Sequence, residues 1–521
     1  MRSGLATIGR NSQQARPVDE ATARPYSHPS PYLGWNARGN LSNMDPREAI
    51  QMDNVFPGVQ TVGVRKGCVS HVTGAPANIK SLLPYSGTTT NKLFAAASSG
   101  IYDVTASGAI GAAVAACTNG EWESLNIATA GGNFLFAVNG VDSAKTFDGA
   151  AWAVPAITVA TSSTWGYVTL HKKRIWAVQK NTMNLWYLPV DSIAGAATLF
   201  PVGSLFKKGG YVVAIGAWSL DGGSGLDDLF VIVSSNGEIA VYQGTDPASS
   251  ATWSLVGVFN VAKPVGKKPL LDYGGDLLYL SQVGLLPLSV LMQSTIIDRS
   301  KQISYNIDGA FLDATEAYGS IFGWQMLTHK SANLLIVNVP ISVDSISYQF
   351  VMNTITKAWC RFTNWNAACW AEFNGLVYYA VGANVFQAWI GTTDVDDPIV
   401  GSVMQAYASL GSRQQKNVTL CRPNFGLAGS AQISMALDTD FNTFNGQTIF
   451  NYAPAPEGAI WDVDLWDTGI WSSGSSTFEP KWTTVPGDLG YLHSFRLQVT
   501  TSSGNFIWTS TDFAFRGAGI L

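Results

Sequence analysis

Along most of its length the chain repeats one pattern: a run of apolar residues, a turn of Gly, Asn or Ser, then a run that alternates with period two and carries an aromatic. It reads LFAAASSGIYDVT from Leu93, NFLFAVNGVDSAKTFDG from Asn133, RIWAVQKNTMNLWYLP from Arg174 and DLFVIVSSNGEIAVYQG from Asp228. Weaker copies follow as DLLYLSQVGLLPLS from Asp276, NLLIVNVPISVDSISYQFVMNT from Asn333 and GLVYYAVGANVFQAWIG from Gly375. Period two marks a strand, and Ser99-Gly100, Asn139-Gly140 and Asn236-Gly237 supply what positive-φ turn positions need, so each copy predicts a β-hairpin. Successive starts lie about 40 to 58 residues apart, the spacing of four-stranded propeller blades. The expectation is an all-β chain whose residues 61–395 form a six- or seven-bladed β-propeller-like body, each hairpin the middle of one blade. Trp122, Trp152, Trp253 and Trp359 recur between the hairpins and are expected to fill the apolar layers between blades.

Both flanks break this rhythm. Residues 1–60 open with Arg2, Arg10, Arg16, Arg24 and Arg38 against Asp19 and Glu20 and show little apolar periodicity, which predicts an extended N-terminal arm ordered by a partner. Within it, Asp45-Pro46-Arg47-Glu48 places an N-cap residue, a proline at the first helical position and a carboxylate at the third, predicting a short helix that stops before Phe56-Pro57. After Asp394-Val395-Asp396-Asp397-Pro398 the runs VMQAYASLG, AQISMALDT, SFRLQVTTS and FIWTSTDFAF alternate, so residues 396–521 read as a C-terminal β-sandwich-like module.

Composition narrows the function classes. Only 13% of the 521 residues are charged, against roughly 25% in an average soluble protein; aromatics reach 12%, and there are 52 glycines and 22 prolines. That balance suits short strands, tight turns and large faces buried against neighbours, because interface cores lose charge and gain aromatics. The net charge of −5 gives no cationic field for nucleic-acid binding by the outer surface. Residues 396–521 hold six Lys/Arg against eleven Asp/Glu and carry that −5 alone. Cys68, Cys117, Cys360, Cys369 and Cys421 are scattered and read as reduced core residues. No apolar core of a signal peptide opens the chain, and no uninterrupted apolar run approaches the ~18 residues of a membrane span, so neither is expected.

Motifs for catalysis are missing: there is no H-E-x-x-H, P-loop, G-x-S-x-G or Cys/His metal pattern, and His28, His71, His171, His329 and His493 lie far apart. No catalytic, cofactor-binding or metal-ligating residue is assigned, and no enzymatic activity or cofactor is expected. His171, beside Lys172-Lys173, reads as a surface residue. GGSGLDD around Gly222 precedes a strand instead of opening a helix, so it is a loop and not a phosphate cradle. The densest cluster is Trp461 to Trp471, where Asp462, Asp464 and Asp467 offer oxygens to calcium and Trp466 and Trp471 offer faces to a sugar. As a strand, the same segment turns Trp461, Val463 and Leu465 to a core and needs no ligand.

Several segments together resemble one family. MDNVFPGVQTVGVRKG from Met52 to Gly67, FGWQMLTHKSANLLIVNVP, FVMNTITKAWCRFTNWNAACWAEFNGLVYYAVGANVFQAW and the closing HSFRLQVTTSSGNFIWTSTDFAFRGAGIL look like the tail hub or nozzle (tail tubular) proteins of short-tailed bacteriophages. The likeness rests on structural motifs: an opening DN-FP and R-G, an N-T-T-AW hairpin and a terminal GAG-I-L. It implies a virion tail protein, assembled in the host bacterial cytoplasm as a homo-oligomer, a hexameric ring below the phage portal and adaptor. Such a ring carries tail fibres or spikes, holds packaged double-stranded DNA non-specifically in its channel, conducts it during ejection, and meets the host envelope only during infection. An acidic lining would let DNA slide, since each Lys or Arg on a phosphate adds affinity and friction. The competing reading is a propeller-type carbohydrate-binding or glycoside-cleaving tail protein, and cleavage requires two carboxylates ~5 to 9 Å apart.

Overall fold

The computed structural model describes residues 24–221, 226–290, 299–443, 446–452, 481–485 and 488–517, and the chain is mostly β. Each of the seven repeats is a hairpin, and each hairpin supplies the second and third strands of an antiparallel set; the first five sets are separate small sheets, and the last two, called sheets VI and VII, are parts of one 16-stranded sheet that also takes in strands of the flanks. Sheet I contains Ile79–Ser86, Asn91–Ala97 and Gly100–Asp103; sheet II contains Glu123–Thr129, Gly132–Val138, Lys145–Phe147 and Trp152–Ala153. Sheet III runs Trp165–His171, Arg174–Gln179, Asn184–Tyr187 and Thr198–Pro201; sheet IV runs Val212–Asp221, Leu226–Ser234, Glu238–Gly244 and Trp253–Asn260. Sheet V has Leu270–Tyr273, Asp276–Ser281 and Gly284–Pro287, and sheet VI has Gln325–His329, Leu334–Pro340, Ser347–Asn353 and Trp359–Phe362. Sheet VII joins Cys369–Phe373, Leu376–Val381 and Asn384–Ala388 to Cys68–Thr73, a strand from the opposite end of the series.

The arrangement follows from period two with both phases apolar. In Asn91–Ala97, Leu93, Ala95 and Ala97 enter a cluster shared with sheet VII, while Phe94 and Ala96 enter one shared with sheet II. In Leu226–Ser234, Phe230 and Ile232 face sheet III, and Leu229, Val231 and Val233 face sheet V. A sheet apolar on both faces must be covered twice, at roughly 1.5–3 kcal/mol per large side chain buried. Each of these sheets therefore lies between two others. First strands pack in succession from sheet I to sheet VII, and Cys369–Phe373 of sheet VII packs back on Ile79–Ser86 of sheet I. The closing strand Cys68–Thr73 ties the two ends of this ring by hydrogen bonds, with Val72 opposite Val385 and Cys68 opposite Ala388.

The two flanks of the chain build the remainder together. One sheet takes Arg24–Pro29, Val55–Pro57 and Val62–Val64 from the N-terminal side and Lys416–Leu427, Thr483–Thr484 and Phe506–Gly517 from the C-terminal side. A second places Glu48–Asp53 beside Asp397–Gln405, then His493–Thr501, Ala431–Thr439 and Thr448–Tyr452. Alternate residues of both, among them Ile433, Met435, Phe495, Leu497, Phe425, Trp508 and Phe513, share one apolar cluster that continues into sheets VI and VII.

Several expectations need correction. Asp45-Pro46-Arg47-Glu48 is a turn, not a helix: the Asp45 carboxylate accepts the Arg47 N–H at 2.9 Å and grips its guanidinium at 2.6 Å. The N-cap signal and a side-chain-capped turn use the same residue types, and the chain then enters strand Glu48–Asp53, with Met52 opposite Val403. Residues 24–60 are not an arm, since Arg24–Pro29 runs antiparallel along Ser510–Phe515. The boundary at 60 therefore separates no arm from a body, since Val55–Pro57 and Val62–Val64 on either side of it pair in one sheet with the C-terminal strands. The α-helix among the described residues, Asp308–Tyr318, was not expected; it has no capping side chain, and it buries Phe311, Ala314 and Thr315 at helical spacing against sheets V and VI.

Candidate functional site

The first strands of sheets I to VII begin at the same end of the ring, and the segments leading into them enclose a cavity of about 440 Å³. Lys80, Lys180, Lys267 and Lys268 line it with Glu121 and Glu123. Lys267 pairs with Glu121, and Lys268 with Glu123 at 2.9 Å. Lys267 and Lys268 precede sheet V while the glutamates open sheet II, sheets that are not neighbours, so the two ties cross the interior of the ring. Lys80 pairs with Asp344. The Phe322 ring lies 5.4 Å from the Lys80 ammonium and 5.5 Å from that of Lys267. Burial, then the carboxylates of Glu123 and Asp272, push the Tyr167 phenol well above its usual range, and burial pushes the Cys369 thiol up to about 12. Both glutamates engage lysines, the geometry of an ionic tie and not of a separate proton donor and nucleophile.

A second constellation sits where the flanks meet the ring. The Arg65 side chain is fully buried, donates to both Asp394 oxygens at 2.8 and 2.6 Å, and donates to the carbonyls of Lys66 and Thr363 and to the Asn54 amide oxygen, each at 2.9 Å. Its guanidinium stacks 4.4 Å from the Trp365 ring, whose indole N–H also donates to Asp394 at 3.0 Å. Asn54 donates to Thr363 and to the Val400 carbonyl. Next to it, Arg361 donates to both Asp53 oxygens at 2.6 and 2.8 Å, and Asn353 donates to the Pro57 carbonyl at 2.9 Å. Gly67 is required by contact: a Cβ there would lie 1.7 Å from the Thr393 carbonyl oxygen. Ile507 and Trp508 of the C-terminal strand Phe506–Gly517 pair with Gly63 and Val62.

The sequence-predicted positions are distributed as follows. Asp462, Asp464, Asp467, Trp466 and Trp471 lie outside the described residues, as do residues 1–23 and the tip of the GGSGLDD loop. Trp122, Trp253 and Trp359 are buried between sheets, and Trp152 is half-buried against Phe94 and Phe147. His171 is not on the surface: it packs on Phe230 and Trp253, 5.2 and 5.8 Å between ring centres, because strand alternation turns it inward whatever lysines follow. The five cysteines are unpaired, and no three His, Cys, Asp or Glu residues cluster as a metal site among the described residues. Sequence reasoning missed the cavity lysines; Lys267-Lys268, at a fixed distance before a hairpin, was the available signal. No helix among the described residues is long and apolar enough to cross a membrane.

No protein-family model matches the chain, and no curated protein matches it. Among solved structures it is similar to the computationally designed Ika8 protein, at 10% identity and a TM-score of 0.36 over 62% of this chain and 100% of that one. It is also similar to Raptor from Chaetomium thermophilum, at 10% identity and 0.38 over 62% and 29% of the two chains. A third is a glycoside hydrolase family 43 arabinoxylan arabinofuranohydrolase from Bacillus subtilis in complex with cellotetraose, at 13% identity and 0.24 over 87% and 96%. Likeness this low says nothing about what the chain does.

Proposed function

We propose that the chain is a structural virion protein, the subunit of a ring-shaped tail hub or nozzle that extends the DNA channel of a short-tailed phage below portal and adaptor. The observation that carries this reading is the junction around Arg65. The segments whose wording resembles such proteins, Met52–Gly67, the Asn353–Trp359 hairpin and the C-terminal strand Phe506–Gly517, are far apart in sequence and meet there, the first two interlocking through Asp53, Asn54, Arg65, Asn353 and Arg361 and the third pairing with Val62 and Gly63. Motifs spent on joining chain flanks to a ring fit a scaffold. In this reading sheets I–VII are the seven blades of a β-propeller, sheet VII closed by strand Cys68–Thr73, and the two flanking sheets are a β-sandwich. The cross-ring ties Lys267–Glu121 and Lys268–Glu123 obstruct the axis of a single chain. DNA would therefore pass between copies, six of them, and not through one propeller. Partners are further copies, the adaptor and portal, tail fibres or spikes, and DNA held without sequence readout.

Negative-stain imaging of the purified protein, or of its parent particle, tests this. Six-fold rings with a central hole are expected; isolated globules at all concentrations, with turnover of a glycoside panel, would replace it with the carbohydrate-directed reading.

A further inference from the structure

The chain as a whole is acidic, at −5, yet the lining of the ring cavity carries four lysines against two glutamates. Clefts lined by one sign of charge and low-dielectric walls concentrate ions of the other sign. Flat rings stand among the polar groups of the lining: Tyr167 and Phe322 are partly exposed to the space, and the buried Trp122 and Trp370 border it. Two of the lysines are spoken for by Glu121 and Glu123, and Lys80 by Asp344. Lys180 forms no ion pair among the described residues, and its stem runs past Gly140 and Gly166. A Cβ on Gly140 would lie 2.9 Å from its Cδ and would make the stem shift, whereas one on Gly166, 3.5 Å from its Cβ, would be in ordinary contact. Gly140 also has a φ of 71°, which an L side chain adopts at a cost.

We infer that this cavity binds a small anion with a flat apolar body, such as a mononucleotide or an aromatic carboxylate, its charged group on Lys180 and its ring among the aromatic walls. About 440 Å³ lies near the lower end of ligand pockets, which run from roughly 300 to 1,000 Å³, so one such molecule fits and a polymer does not. Cross-ring pairs close the site when empty; Lys267 and Lys268 turn to the anion when it enters. This site does not rest on the tail reading, because a ring of subunits assembles with the cavity filled or empty.

The test is titration calorimetry on the full-length protein at low salt with AMP, 4-hydroxybenzoate, adenosine and inorganic phosphate as probes. One molecule of AMP or 4-hydroxybenzoate should bind per chain, at least ten-fold more tightly than adenosine or phosphate, and which of the two binds better distinguishes nucleotide from carboxylate. Lys180→Glu, on an exposed side chain that leaves the fold's circular dichroism unchanged, should weaken binding ten-fold or more. Glu121→Gln should tighten it severalfold by removing a competing carboxylate. Absence of saturable binding by either anionic ring compound, or binding unaltered in Lys180→Glu, would overturn the proposal.

Discussion

The ring and the terminal module are both β, but they are stitched differently. Within the ring almost every hydrogen-bonded strand pair is a hairpin a few residues long, as in Leu277 to Asp272 or Val377 to Glu372, and sheets touch mainly their neighbours in sequence through apolar clusters. In the module, strands hundreds of residues apart are partners: Arg24 lies opposite Phe515, and Ala49 opposite Gln405. Loop-closure entropy grows only slowly with length, so such pairings are affordable, but they need something to fix their register. At the junction that something is ionic and buried; in the ring it is apolar.

The largest effect is expected where the two regions meet. Arg65→Ala removes the cation that pairs with Asp394 in a buried setting, leaving that carboxylate only the Trp365 indole N–H and taking one donor each from Asn54 and the Thr363 carbonyl. Breaking a buried pair from one side costs about 3–5 kcal/mol. Urea unfolding followed by tryptophan fluorescence should show that loss, with one transition splitting into two as the module separates from the ring. A loss below 1 kcal/mol with a single transition would mean the apolar cluster alone couples them.

Acidification should separate the regions by a smaller margin. Burial holds His28 and His493, both in the module, to a pKa of about 4, and His171 in the ring to about 4; His329 is lowered as well. Asp45 opposes burial at His28, Lys416 reinforces it at His493, and Asp440 opposes it there. The unfolded chain takes up these protons near 6.5 and the fold refuses them until about 4, so the unfolded state binds more protons between, and stability falls as pH drops through that window. At about 1.4 kcal/mol per unit, each of the three loses about 2 kcal/mol by pH 5. The module should melt first on acidification, and His28→Gln should flatten its pH slope by about one proton without flattening that of the ring. Equal slopes before and after substitution would place the acid sensitivity elsewhere.

What was legible in the sequence follows the same division. Hairpins such as Asn133 to Gly149 are written locally, in alternation and in residues like Asn236-Gly237, and all seven stood where the pattern put them. Asp45 showed the limit of local reading, because a capped helix and a capped turn look alike until the register of Met52 against Val403 decides between them. His171 showed another: charge next door is a weaker guide than the face a strand turns inward. The junction was visible as motif wording but not as geometry, since nothing in Asn54 or Arg65 says that Asp394 lies opposite. The cavity was illegible because its lysines come from three places in the chain, Lys80, Lys180 and Lys267-Lys268, that only ring closure brings together.

The smallest effect sharpens the contrast most directly, because it compares two ion pairs of similar chemistry in the two regions. Lys268 and Glu123 are partly exposed, at 31% and 17%, whereas Arg65 and Asp394 are at 0% and 12%. Solvent screens the first pair, each partner can turn to water when the other is removed, and exposed pairs are typically worth about 0.2–1 kcal/mol. A double-mutant cycle with Lys268→Met and Glu123→Gln should return a coupling below about 1 kcal/mol that fades in molar salt, with the ring still unfolding cooperatively. The ring can lose this tie because sheets II and V are each covered by neighbours through clusters that contain no charge. A coupling as large as that at Arg65 would instead make the cross-ring pairs a structural closure in their own right, and the division between an apolar ring and an ionic junction would no longer hold.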